Sequence, residues 1–296
     1  MAEAAFYMLH KGVYLSAHVH NPQSLKYFEE FTFRKDDVII ATYPKSGTTW
    51  MQEIIPLILS EGDPASVETL MSWNRVPWLE MVYTAKLDVE QRPSPRIFST
   101  HFQYSMMQPG FFEVKPKVIY VMRNPKDVFT SYFHFSKASS FLVNPGPQSE
   151  FLKTFMDGKV SHGSWFEHVK GWLNAEDKKH IMYISYEELK TDLKNAVARI
   201  AQFLEKPLDA EVIEKIAERC LFQNMKQNKM SNHSTVSSKV LDQAKSEFLR
   251  KGIVGDWKNQ LTVPEAEYFD AVYTDKMKDF KYTFPWVLDK VDEQSH

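Results

Sequence analysis

The sequence predicts an α/β protein, a single domain over residues 1–296 with a mostly parallel central sheet flanked by helices and a P-loop-like anion-binding turn. Three observations predict it. Short, continuously apolar runs alternate with longer segments of helical period, the pattern of strands buried on both faces and of helices that cover them. A polar turn, Thr42-Tyr-Pro-Lys-Ser-Gly-Thr-Thr-Trp50, stands where the first such strand meets its helix, a place where anions bind. No repeat, low-complexity tract or long linker divides the chain.

The expected strands are Asp37–Tyr43, Arg96–Thr100, Lys117–Met122 and Ile181–Ser185. A helix should follow the first, because Trp50/Met51, Ile54/Ile55 and Leu57/Ile58 make one apolar stripe, with Pro56 kinking its last turns. After the third strand, Asn124 as N-cap, Pro125 at the first helical position and Asp127 in the first turn predict a helix over Pro125–Ala138. From Glu187 onward, Leu189, Leu193, Val197, Ile200 and Leu204 share a face and predict one further sheet-packed helix. Residues 61–95 and 226–249 show no period that assigns them.

With 36 basic and 38 acidic side chains the formal net charge is −2, so no bulk field draws the protein to nucleic acid or to an anionic membrane, and any anion site must be local. The single cysteine, Cys220, cannot form an intrachain disulfide, and no Cys/His group has zinc spacing. A reducing, cytoplasmic location is the expectation: Met1–His10 has no basic flank before its short apolar run, and no 18-residue apolar stretch follows. The sequon Asn232-His233-Ser234 is read as chance.

In the turn after the first strand, Ser46, Gly47, Thr48 and Thr49 can aim backbone N–H groups at phosphate oxygens, Gly47 permits close approach and Lys45 adds a point charge. A Walker loop has its lysine after a glycine and a second glycine upstream, and neither holds here. Arg123, at the end of the third strand, can hold a phosphate bidentately; the competing reading is an ion pair with a nearby carboxylate. Arg250 and Lys251 beside Gly252 form a second basic element, alternatively a solvated surface.

Tyr-Pro-Lys-Ser-Gly-Thr-x-Trp at 43–50, Arg-Asn-Pro-Lys-Asp from 123 with a serine at 131, Ser-Tyr-Glu-Glu-Leu at 185–189 and Arg-Lys-Gly-x-x-Gly-Asp-Trp-Lys-Asn at 250–259 together resemble the cytosolic sulfotransferase family. Ser-Trp-Phe-Glu-His at 164–168 and the segment 222–232 are similar to its hydroxysteroid (family 2) branch. The resemblance implies a PAPS-dependent sulfotransferase (PAPS, 3′-phosphoadenosine-5′-phosphosulfate) that acts on a hydroxyl of a small apolar acceptor, a hydroxysteroid or related alcohol, with a phenol or xenobiotic as the alternative. Residues Lys45, Ser46, Gly47, Thr48, Thr49 and Trp50 would bind the phosphosulfate end. Arg123, Ser131, Arg250, Lys251 and Gly252 would bind the 3′-phosphate. Trp50, Tyr186 and Phe222, with Cys220, Leu221, Gln223, Asn224 and Met225, would enclose the adenine. His101 would be the catalytic base and Lys45 the group that offsets charge on the leaving oxygen, restrained by Ser131 until the acceptor arrives; no metal is implied.

Two departures bear on the acceptor. Many members have a lysine two residues before the histidine where this chain has Ser99, as in the hydroxysteroid branch, and Phe102-Gln103 stand where Leu-Pro is usual. Trp73, Trp78, Phe102, Tyr132 and Phe133 are candidate acceptor-pocket aromatics, with core packing the alternative. Lys258-x-x-x-Thr262-Val263-x-x-x-Glu267 resembles the family's dimerisation segment and implies a homodimer. A small-molecule kinase would need magnesium ligands and a Walker loop, and a non-catalytic binding protein would have no use for His101 and Lys45 together.

Overall fold

The computed structural model describes residues 6–286. A hairpin of β1 (Tyr7–His10) and β2 (Val13–Ser16) comes first, turned by Lys11 and Gly12, both at positive φ. The central sheet is four parallel strands in the order β4-β3-β5-β6, with β3 Val38–Thr42, β4 Ile97–Thr100, β5 Lys117–Met122 and β6 Ile181–Ser185. Each overlaps a strand expected from the sequence; the hairpin was not among them.

Alternation along β3 sends Val38 and Ile40 to one face and Ile39 and Ala41 to the other, and each face has its own core. On the first face lies α1 (Thr48–Leu59), which runs through Pro56 and has Ile54, Ile55 and Ile58 fully buried. On the other, Phe129 of α2 (Pro125–Ala138) packs with Phe151 and Phe155, in the core that Tyr120 and Trp172 share. Asn124 caps α2 by accepting the Lys126 N–H, as its sequence position suggested.

The helix expected from Glu187 is two helices, α3 (Tyr186–Thr191) and α4 (Leu193–Phe203). Asp192 breaks it: with φ −150° it leaves the helical region and caps α4, its Oδ1 accepting the Asn195 N–H at 3.0 Å. Residues 61–95 hold only helices of one turn or so and two 3₁₀ turns. Most of 226–249 is irregular, beyond the end of α5 (Phe222–Gln227). A last helix, α6 (Val263–Met277), follows.

The strand order places β4 and β5 on opposite sides of β3, so the chain reverses direction across the sheet at the carboxyl end of β3. Ligands of open α/β sheets bind outside such a switch point. His101, Arg123 and Tyr186 are each the residue immediately after a strand of this sheet, and the Tyr43–Gly47 turn follows the fourth.

Candidate active site

These strand ends open on one cavity of about 340 Å³. Its wall includes Lys45, Gly47, Thr48, Thr49, Trp50, His101, Arg123, Ser131, Tyr186, Phe222, Met225 and Arg250–Gly252. Most of the sequence-predicted residues therefore meet in one place although they span some 200 positions of the chain.

In the turn after β3, Lys45 (φ 70°) and Gly47 (φ 121°) both adopt left-handed backbone. This geometry points successive N–H groups inward. The Ser46 N–H is spent on the Tyr43 carbonyl at 3.2 Å, so the donors left for an anion are those of Gly47 and of Thr48 and Thr49 in the first turn of α1. The Ser46 hydroxyl is buried with no partner among the described residues.

The Lys45 ammonium lies 4.0 Å from the Phe135 ring centroid and 4.6 Å from that of Phe248. Burial, then the positive charges of Arg123 and Arg250, lowers its pKa to about 7. Ser131 lines the cavity, but no hydrogen bond joins it to Lys45 among the described residues; the two rings hold the lysine instead.

Arg123 donates to the Lys45 and Ile253 carbonyls at 2.9 and 3.3 Å and lies 4.0 Å over the Tyr186 ring. Its Nε is buried and unpartnered among the described residues. Arg250 and Lys251 pair with Asp256, each at 2.6 Å. Burial alone would raise the Asp256 pKa, but hydrogen bonds from Lys251, Arg250 and Asn259 outweigh it and hold the carboxyl at about 2. Asp127 of α2 fixes this loop by accepting the Gly255 and Trp257 N–H groups at 2.7 and 3.0 Å.

Trp50 and Tyr186 meet edge to face at 5.2 Å, and Trp50 Nε1 donates to the Cys220 carbonyl at 2.8 Å. Phe222 packs on Gly252, where a Cβ would come within 2.2 Å of the ring. Of the segment 220–225 only Phe222 and Met225 line the cavity. Cys220 is buried behind Trp50 and its thiol is pushed up to about 12 by burial. Leu221, Gln223 and Asn224 are exposed outside the cavity wall: a helix turns only some of six consecutive residues toward one side.

His101 is 8% exposed. Its Nδ1 lies 2.8 Å from the Thr42 carbonyl, which can only accept, so Nδ1 carries the proton and Nε2 presents a lone pair. Burial outweighs the Thr42 bond and, with smaller contributions from His20 and Lys45, lowers its pKa to about 4. The imidazole is thus a neutral acceptor beside a cation.

Beyond the charged groups the wall is largely apolar, with Val19, Trp73, Trp78, Met81, Tyr132, Leu142, Val236 and Val240 beside Ser16, Ser161, His162 and His233. Phe102 and Phe133 are buried in the core instead. Phe102 packs edge-on against Phe28 at 4.9 Å, so its place beside His101 in sequence does not bring it to the acceptor. Ser99 also faces inward, its hydroxyl accepting from Gln52 Nε2 at 3.2 Å. Val236, Val240 and Phe248 come from the stretch 226–249 that has no sequence period, and no signal in the sequence marks them.

An α/β sheet with an anion turn at its switch point, a neutral histidine and an aromatic slot define a group-transfer enzyme of the phosphate-binding kind. A sulfotransferase domain model matches residues 35–281, and the chain belongs to that family of enzymes. It is 43% identical to mouse sulfotransferase 2B1 over 97% of this chain and 84% of the relative. It is 44% identical to sulfotransferase 2A1 of Macaca fascicularis over 87% and 90%, and 41% identical to human sulfotransferase 1C2 over 86% and 88%. Among solved structures, mouse SULT7A1 complexed with PAP superposes with a TM-score of 0.77 at 30% identity, covering 92% of this chain and 95% of that one. Retinol dehydratase in complex with androsterone and PAP gives 0.81 at 25%, covering 96% and 93%. No helix of the described residues is long and apolar enough to cross a membrane.

Proposed function

We propose that this sulfotransferase takes its sulfuryl group from PAPS and delivers it to a hydroxyl of a hydroxysteroid or similar rigid alcohol. The observation that carries the donor is the set of unspent groups at the turn: the N–H groups of Gly47–Thr49, the Ser46 hydroxyl, the Lys45 ammonium and Arg123 Nε. These fit an anion at each end of an aromatic slot. Arg123, Ser131 and Arg250–Gly252 would hold the 3′-phosphate, and Trp50, Tyr186 and Phe222 the adenine.

Bound there, PAPS supplies a sulfuryl group on a phosphate leaving group. His101 Nε2 takes the proton of the acceptor hydroxyl as its oxygen bonds to sulfur. The Lys45 ammonium and the N–H groups of the turn offset the charge left on the phosphate oxygen. An anion beside Lys45 also offsets the small lowering that the Lys45 charge adds to burial at His101, and makes it a better base.

The apolar wall suits a rigid, largely apolar acceptor, and relatives carrying the 2B1 and 2A1 names match over most of the chain. An aliphatic alcohol, less acidic than a phenol, needs more complete proton removal and gains more from enclosure. Incubation with PAPS and a panel of labelled alcohols and phenols tests both parts. A tenfold preference in kcat/KM for a 4-substituted phenol over a 3β-hydroxysteroid would overturn the acceptor class, and no transfer from PAPS would overturn the donor.

Lys258, Thr262, Val263 and Glu267 are all exposed, Val263 at 72%. Their pairing with the same segment of a second copy would cover Val263 and set each Lys258 near a Glu267; this supports a homodimer. Cys220, free and buried, suits a reducing cytosolic location.

A further inference from the structure

We infer that Glu80 is a positioning residue for the base: by accepting the backbone N–H of His101 it fixes where the imidazole Nε2 stands. This rests on the reading of His101 as the base. Glu80 has no exposed surface, and its Oε1 accepts the His101 N–H at 2.7 Å. No cation pairs with it among the described residues, and its Oε2 has no hydrogen-bond partner there. A carboxyl in such a place is costly to bury: burial pushes it up to about 7, partly offset by the His101 N–H, by its own backbone and by the Thr100 side chain.

The ring of His101 is tethered from β3, through Nδ1 to Thr42. Its main chain is tethered from the other side by Glu80, and the next residue, Phe102, donates its N–H to Thr100 Oγ1 at 3.1 Å. Two fixed points on one residue leave Nε2 little freedom. Removing the acceptor at 80 would leave a buried N–H without a partner, and the turn after β4 would move to find one.

The segment that carries Glu80 is itself locked to β4. Ser99 N–H donates to the Pro77 carbonyl at 2.9 Å and Leu79 N–H to the Ser99 carbonyl at 3.1 Å. Between them Trp78 lines the cavity with its ring 5.8 Å from that of His101. Residues 77–80 thus supply an acceptor-wall aromatic and the anchor of the base together, so the acceptor and the base are placed by one short piece of chain. Glu80 does not line the cavity.

The test is Glu80→Leu, Glu80→Asp and Glu80→Gln, measuring kcat at saturating acceptor, KM for the acceptor, and Kd for PAP. A displaced base costs on the order of 10-fold to 100-fold in rate. E80L should lose at least about 10-fold in kcat with the PAP Kd unchanged. E80D, whose carboxylate falls one methylene short, should lose kcat in the same direction and serves if E80L does not fold. E80Q, which keeps an oxygen at the Oε1 position, should recover kcat to within about threefold of the parent. A parent-like kcat in E80L or E80D, or an E80Q as slow as either, overturns the proposal. His101→Ala assayed beside them separates the claims: an inert H101A with a parent-like E80L removes only the role of Glu80, whereas an active H101A removes the role of His101 and this one with it.

Discussion

Lys45 gives the sharpest quantitative consequence of the site. Its ammonium is buried against Phe135 and Phe248, near Arg123 and Arg250, and titrates near 7 rather than at the ordinary 10.5. A nucleotide anion in the turn supplies an opposite charge, and restores the protonated form. The free protein at pH 7 then carries the proton on Lys45 in about half of its molecules and at pH 9 in about 1%, and apparent affinity follows the competent fraction. PAP should therefore bind about 50-fold more weakly at pH 9 than at pH 7, about 2.3 kcal/mol. The sign is fixed: the free-state pKa is the lower one, so affinity is lost as pH rises through it. Burial keeps His101 and His233 neutral over this range, with pKa about 4 and about 3. Calorimetry at constant ionic strength in two buffers of different ionisation enthalpy should show proton uptake growing from about half to nearly one per nucleotide between pH 7 and 9. Lys45→Met should bind weakly with little pH dependence. A parent Kd that changes less than about threefold over this range, with no difference in uptake from K45M, would show that Lys45 does not titrate on nucleotide binding.

Arg123→Ala should weaken PAP by about 1.5–3 kcal/mol, more than it weakens the analogue without the 3′-phosphate. Arg250→Ala should fall at the low end of that range, because Arg250 already has Asp256 as a partner; equal losses with both nucleotides would show that these arginines only support the fold. Gly252→Ala places a methyl against the Phe222 ring at a position with φ 63°, and should lower PAP affinity by about tenfold or more in a folded protein, read by calorimetry beside a melting curve. Val263→Asp should shift the protein toward monomer in sedimentation with kcat unchanged, and an unaltered sedimentation coefficient would remove the proposed dimer face.

The sheet was legible because its strands are buried on both faces: Val38–Thr42 and Lys117–Met122 are almost wholly apolar, and only a parallel sheet tolerates that. The site was legible because the chemistry sits at strand ends, where a motif such as Arg123-Asn-Pro-Lys-Asp marks both the end of a strand and the start of a helix. The hairpin was missed although Lys11-Gly12 is a fair turn signal: its two strands pair only with each other, apart from the central sheet, and Tyr7–His10 has no fully buried residue to mark it. The acceptor wall was read less well for a different reason. Phe102 and Phe133 look like Trp73 and Trp78 in sequence, and whether an aromatic faces a cavity or a core is decided by tertiary packing. The stretch 226–249 is held by contacts remote in sequence, such as Ser231 and Asn228 on the buried Glu53 of α1 and Leu241 bridged to Ser139. Glu80 carries no motif at all, and only its contact with the His101 N–H draws notice to it.

In the proposed reaction a neutral His101, with its proton on Nδ1, removes the acceptor's proton while the donor is held by other residues. The kcat of His101→Ala with PAPS and saturating acceptor, measured together with the Kd of PAP, tests it most directly. The account predicts a fall in kcat on the order of 10²-fold or more with PAP affinity retained. A variant that keeps at least half the parent kcat would contradict it.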